Sequence, residues 1–238
     1  MAVTQDPAAV RDLVLAAHRR LRALLPRLAD GGERAPSALP GWSRAHLLSH
    51  VEGVGRALAR QARYAVRGER VAVYDGGRPE RDAGIEAGSV RDAEQLRRAV
   101  AAALDEADAA WSAVGPDDWR RPVGYRDGVL TDALLAWWRE VEVHTADALL
   151  GYAPGEWPRP FCAHALDFLS ARVPEGVRLR LTASDGPERA EYGAESGAGR
   201  DVAVQGRLAD LTAWLAGRTP DGALTPPVAR LPALDPWP

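Results

Sequence analysis

The chain has 238 residues, 46% hydrophobic and 26% charged, with a net charge of −3. That composition fits a soluble globular protein of one large or two modest domains. The balance of charge sets up no strong field toward nucleic acid or an anionic membrane, so neither is an expected partner. All the basic side chains are arginine, which rules out a Schiff-base lysine or a phosphate-loop lysine.

No basic-then-apolar leader opens the sequence, and no apolar run is long enough to cross a bilayer. One cysteine, Cys162, excludes internal disulfides and fits a reducing, cytoplasmic setting. Its apolar, helix-like surroundings make it a buried structural thiol rather than a nucleophile.

Taken in order, Asp6 and Pro7 read as an N-cap and first helical position, and apolar residues at helical spacing carry a helix to about Ala29. Leu39-Pro40-Gly41-Trp42-Ser43 is a turn, with Ser43 capping a second helix whose stripe is Leu47, Val51, Val54 and Leu58. His50 lies on or beside that stripe, and His46 nearer the helix start. Residues 67–88 lack periodicity and are punctuated by five glycines, so they read as a long functional or disordered connection. A third helix spans 89–114. After a second irregular stretch at 117–130, Thr131 caps a fourth helix that ends at Gly151. Four long helices without strands predict an antiparallel bundle over residues 1–152.

Proline and glycine around 151–160 mark a boundary. Beyond it come a short helix at 161–171 and a strand over Val177–Ala183, where apolar residues alternate. Weaker strands at 189–193 and 201–206 follow, then a last amphipathic helix and a proline-rich tail. Residues 160–238 are therefore expected to form a small α+β domain, and the chain as a whole to be α+β.

Glu140 and His144 are four residues apart on the fourth helix, one turn apart on one face. Such a pair is an ordinary ion pair or half of a metal site. His50 is either a satisfied core histidine or a candidate third ligand; in the second case two imidazoles with one carboxylate would leave an open position on zinc, the mark of a catalytic rather than structural site.

The residues around these positions carry a resemblance. Leu39-Pro40-Gly41-Trp42-Ser43 followed by His46-Leu47-Leu48-Ser49-His50, and Arg139-Glu140-Val141-Glu142-Val143-His144, closely resemble motifs of the mycothiol-dependent maleylpyruvate isomerase family. So do Arg81-Asp82-Ala83-Gly84-Ile85-Glu86-Ala87-Gly88, Val204-Gln205-Gly206, Ala209-Asp210-Leu211 and Trp214-Leu215-Ala216-Gly217-Arg218. The family joins a DinB-like metal-binding four-helix bundle to a small α+β domain. The resemblance implies that His50, Glu140 and His144 hold zinc, that Arg81 and Arg218 meet the anionic substrate, and that mycothiol is the thiol cofactor. The implied activity is cis–trans isomerisation of maleylpyruvate, or a related maleyl-type dianion, to fumarylpyruvate by thiolate addition, rotation and elimination. Two alternatives stand beside it: a mycothiol S-transferase on another electrophile, and a non-catalytic metal-binding regulatory module. Expected partners are a small anionic substrate and a low-molecular-weight thiol, with the protein a monomer or weak homo-oligomer.

Overall fold

The computed structural model describes residues 6–194 and 199–238. The chain divides into two compact units, the first ending at Tyr152 and the second beginning at Ala153.

The first unit is built on α1 (Pro7–Leu24), α2 (Arg44–Val66), α4 (Ala93–Ser112) and α5 (Leu130–Asp147), with the shorter α3 (Gly77–Ser89) on the long connection. Capping follows the residue types. The Asp6 carboxylate accepts from Ala8 N at 3.1 Å, with Pro7 at the first helical position. Ser43 Oγ accepts from His46 N at 3.3 Å, and Asp92 with Gln95 closes a capping box on α4. The expected cap Thr131 does not act as one. Its hydroxyl donates to the Trp119 carbonyl, and Asp132 accepts from Val129 N at 2.8 Å to close the start of α5. An acidic residue at the third helical position can do this as well as a hydroxyl at the cap.

Helix directions follow from the residues that meet. Against α2, α5 runs the opposite way: Gly55 faces Trp137, His50 meets Glu140, and Arg44 reaches the Leu149 carbonyl. Alongside α1 it runs the same way, with Trp137, Glu142 and Leu150 meeting His18, Arg20 and Arg27. Helices α2 and α4 are also co-directional. Arg91, just ahead of α4, bonds Ser49 and Glu52, and Glu106 further along pairs with Arg56. Two co-directional neighbours need a connection as long as the bundle, and residues 67–92 provide it.

That connection is more ordered than its sequence suggests. Residues 77–89 form α3, although Gly77, Gly84 and Gly88 each weaken a helix by about 1 kcal/mol relative to alanine. Packing outweighs propensity here. Ile85 is buried, and a Cβ on Gly88 would lie 2.4 Å from Ser49 Oγ, so a side chain at 88 would push α3 off α2. Gly88 allows the close approach, whereas a Cβ on Gly84 would meet nothing within 4 Å.

In the second unit, α6 (Arg159–Leu169) and α7 (Leu208–Leu215) accompany a sheet of β1 (Val177–Ala183), β2 (Arg189–Gly193) and β3 (Arg200–Gly206), in the order β2-β1-β3. The β1–β2 pair is antiparallel and the β1–β3 pair parallel. Val177, Leu179, Leu181 and Ala183 are buried, as the alternation requires, with Val202 and Val204 beside them on β3. The tail is tied down by Asp235 N on the Arg172 carbonyl and by Trp237 beside Phe168. The chain is thus α+β, with helices and strands segregated as expected.

A buried polar relay fixes α5 against α1 and α4. Trp137 Nε1–H donates to His18 Nε2 at 2.6 Å, which leaves the His18 proton on Nδ1, 2.6 Å from Asp108. His18→Leu removes both partners at once and strands a buried indole N–H. That costs about 1–3 kcal/mol. The urea midpoint should fall with the slope unchanged; a midpoint equal to the wild-type value would show that the relay contributes no stability.

Candidate functional site

The site is set by α5. Four residues separate Glu140 from His144, so both side chains leave one face of the helix, and α2 presents His50 opposite them. Glu140 Oε2 lies 3.0 Å from His50 Nε2 and 3.2 Å from His144 Nε2. The His50 and His144 rings meet edge to face with centroids 5.0 Å apart. Glu142, two residues along, points to the other side of the helix, where Arg20 holds both its oxygens at 2.8 Å. Two glutamates in the motif therefore have different work: one faces the histidines and one locks α5 to α1.

Neighbouring groups orient each histidine. His144 Nδ1 is 2.9 Å from Asp147 Oδ2, one turn further along α5. Arg81 Nη2 donates to His50 Nδ1 at 3.3 Å, so the His50 proton sits on Nε2 and is given to Glu140. Trp42 packs edge-on to His50 at 5.6 Å. The turn that carries Trp42 is closed by Ser37 N on the Trp42 carbonyl, and its Ala38 N bonds the Asp147 carbonyl at 2.9 Å. Asp147 thus anchors both the second histidine and the turn that backs the first.

The electrostatics are those of a tightly held charge set. Burial works to raise the Glu140 carboxyl, but hydrogen bonds and charge from His144 and His50 hold it far below the usual carboxylate range. Burial likewise opposes protonation of His144, yet Asp147 and Glu140 carry it up to about 9. Burial lowers His50, with Glu140 offsetting part of the effect. Without a metal, the arrangement is one imidazolium and one neutral imidazole clamped on one carboxylate.

One ligand atom from each of the three residues lies within 4.8 Å of the others. A tetrahedral zinc with bonds of about 2.0–2.1 Å needs ligand atoms about 3.3 Å apart, close to the 3.0 and 3.2 Å that separate Glu140 Oε2 from the two histidine nitrogens. The donor types suit zinc, and the Asp147 contact leaves the His144 Nε2 lone pair for a ligand role, as metal-binding histidines usually require. The residues present therefore fit one divalent ion with a position left open.

Of the five residues expected at the site, the structure brings four together: His50, Glu140, His144 and Arg81. Arg218 belongs to the second unit, just past α7, where its guanidinium bonds the Ala216 carbonyl and lies 5.7 Å from the Trp237 ring. Asp147 is a site residue that the sequence reading misses, although a carboxylate three residues after a ligand histidine on a helix is a readable signal. Cys162 is fully buried in the second unit with its thiol toward the Trp157 carbonyl, in keeping with a structural role.

Two cavities adjoin Arg81. One, of about 450 Å³, lies between α2 and α3 with Ser49, His50, Tyr74 and Arg81 on its walls. The other, of about 600 Å³, is lined by Val73, Tyr74, Arg78 and Arg81 with Gly124. No helix among the described residues is long and apolar enough to cross a membrane.

Comparison with known proteins agrees with this architecture. Residues 14–149 match the mycothiol maleylpyruvate isomerase N-terminal domain and residues 156–234 the corresponding C-terminal domain. A crystal structure of the mycothiol-dependent maleylpyruvate isomerase superimposes with a TM-score of 0.77 at 25% identity, covering 97% of this chain and 95% of that one. A histidine-to-alanine variant of such an isomerase gives 0.81 at 24% identity, covering 98% of each chain. No curated protein matches the chain. With both of its units matched in order, the chain belongs to the mycothiol maleylpyruvate isomerase family.

Proposed function

We propose that the protein is a zinc- and mycothiol-dependent cis–trans isomerase acting on maleylpyruvate or a closely related maleyl-type dianion. The observation that carries this reading is the convergence of His50, Glu140 and His144 with Arg81 beside them, in a chain of this family. A pure binding module has no use for an open metal position with a guanidinium at its edge.

His50 Nε2, Glu140 and His144 Nε2 would hold the ion. When bound there, zinc would lower the pKa of an added thiol so that thiolate is available near neutrality. Cys162, the one thiol in the sequence, is buried in the core of the second unit, so the reacting sulfur would be supplied by the added thiol. Ligation through Nε2 leaves the one proton of His50 on Nδ1, where it faces the guanidinium. The Arg81 contact to Nδ1 would then be lost, leaving Nη2 available to an anionic oxygen while Nη1 stays on Asp82 Oδ1 at 2.7 Å. Arginine suits a carboxylate or a developing enolate oxygen because its planar fork binds such groups in pairs and never loses its charge. Arg218 is proposed as the second cationic group of the reaction. Asp147 keeps the His144 ring in place throughout.

The direct test incubates metal-replete protein with mycothiol and maleylpyruvate and follows loss of the cis isomer. Conversion without net consumption of thiol is the expected result. Accumulation of a stable thiol adduct would make the protein a transferase, and no reaction at all would sink the reading. Arg81→Ala should keep the metal and lose about 10- to 100-fold in turnover, since a charged hydrogen bond is worth about 1.5–3 kcal/mol. Arg81→Lys should recover only part of that loss.

A second test concerns protons. In the metal-free protein the folded-state pKa of His144 is raised from 6.5 to about 9, so at pH 7 its proton is present. A ligand histidine must be neutral, so zinc binding at pH 7 should release about one proton. His50 releases none, because its proton moves between ring nitrogens. Affinity for zinc should rise with pH until His144 deprotonates by itself near pH 9. Calorimetry in buffers of different ionisation enthalpy reads the proton directly, and heats independent of the buffer would contradict the assignment.

A further inference from the structure

Tyr74 stands on the wall shared by the two cavities, and Arg81 lines both as well. The tyrosine precedes α3 in the connection and is half-buried. Its backbone carbonyl accepts from Gly77 N at 3.1 Å, which closes the turn into α3 and fixes the residue in place. Among the described residues its hydroxyl has no hydrogen-bond partner, unlike the hydroxyls of Tyr152 and Tyr192, which donate to Glu142 and Asp167.

With no protein partner and not sealed from solvent, the hydroxyl is available to a ligand entering those cavities. It lies within the fields of Arg81, Glu140 and Glu80. Burial, with those carboxylates, pushes it up to about 12 against the pull of Arg81. Near neutrality it keeps its proton and can donate to an oxygen held next to the Arg81 guanidinium.

We infer that Tyr74 and Arg81 form a two-donor clamp for one carboxylate of a dicarboxylate, or its adjoining carbonyl oxygen, with the Tyr74 hydroxyl giving a direct hydrogen bond to the ligand. The inference rests on the functional reading above in naming the ligand class, and it adds a substrate-contacting residue to that site. Guanidinium and phenol together match a carboxylate: one supplies charge and the fork, the other a single directed O–H. The clamp also gives the α2–α3 close approach at Gly88 a purpose, since α3 carries Arg81 and its first turn fixes Tyr74.

The test uses succinate, a four-carbon dicarboxylate with no double bond to isomerise. It is titrated into zinc-replete full-length protein and into Tyr74→Phe, which removes the hydroxyl and keeps the ring. Equal zinc content and equal thermal midpoints for the two proteins check that the ring still fills its place. The expected result is succinate binding by the wild type and affinity about tenfold weaker in Tyr74→Phe. Affinities within about twofold of each other would overturn the clamp, because a merely structural tyrosine predicts that outcome. Failure of the wild type to bind succinate would overturn it as well. Because the measurement needs no turnover, hydroxyl-dependent binding in a protein that does not isomerise maleylpyruvate would retain the clamp and reject the isomerase reading.

Discussion

The site depends on one carboxylate oxygen. Glu140 Oε2 lies within 3.2 Å of both histidine Nε2 atoms, on two different helices, and each of the neighbouring groups serves that convergence. Two imidazoles and a carboxylate converge at a cost in desolvation that an ion pair on the surface would not incur. A divalent ion held by these three residues, as proposed, would offset that cost.

Support for that oxygen extends well beyond His50, Glu140 and His144. Asp147 steadies His144 and, through its carbonyl, the Pro40–Trp42 turn that backs His50. Glu142 and the Trp137–His18–Asp108 relay hold α5 to α1 and α4, so the face bearing Glu140 and His144 cannot rotate. Gly55 takes the Trp137 indole where a Cβ would be 2.9 Å away, which sets the α2–α5 spacing at the level of the site. Metal chemistry needs ligands fixed to a fraction of an ångström, and rigid helices supply this better than loops.

Much of this is legible in the sequence, for physical reasons that differ by element. Helical periodicity is strong in α1, α2, α4 and α5 because each buries a long apolar stripe, and β1 reads cleanly because one of its faces is buried. The Glu140–His144 pair is legible because i,i+4 spacing on a helix leaves little freedom, whereas His50, on another helix, joins it only through the resemblance carried by its surrounding motif. Helix α3 is not, since its glycines lower its local helix signal and one of them, Gly88, serves close packing against Ser49 and Arg91. Thr131 reads as a cap from its residue type, yet Asp132 competes for the same role one residue later and takes it. Tyr74 is legible only as one residue of a connection long enough to be functional; its place beside Arg81 follows only once α2 and α3 have been brought together.

If His50, Glu140 and His144 hold one divalent ion with a position left open, the ion itself is the most direct witness. Anomalous diffraction from crystals of zinc-replete protein, collected on either side of the zinc absorption edge, locates it. The expected result is a single strong anomalous peak per chain, within bonding distance of His50 Nε2, a Glu140 carboxylate oxygen and His144 Nε2. A peak elsewhere, or none at this position in protein shown to contain zinc, would contradict it.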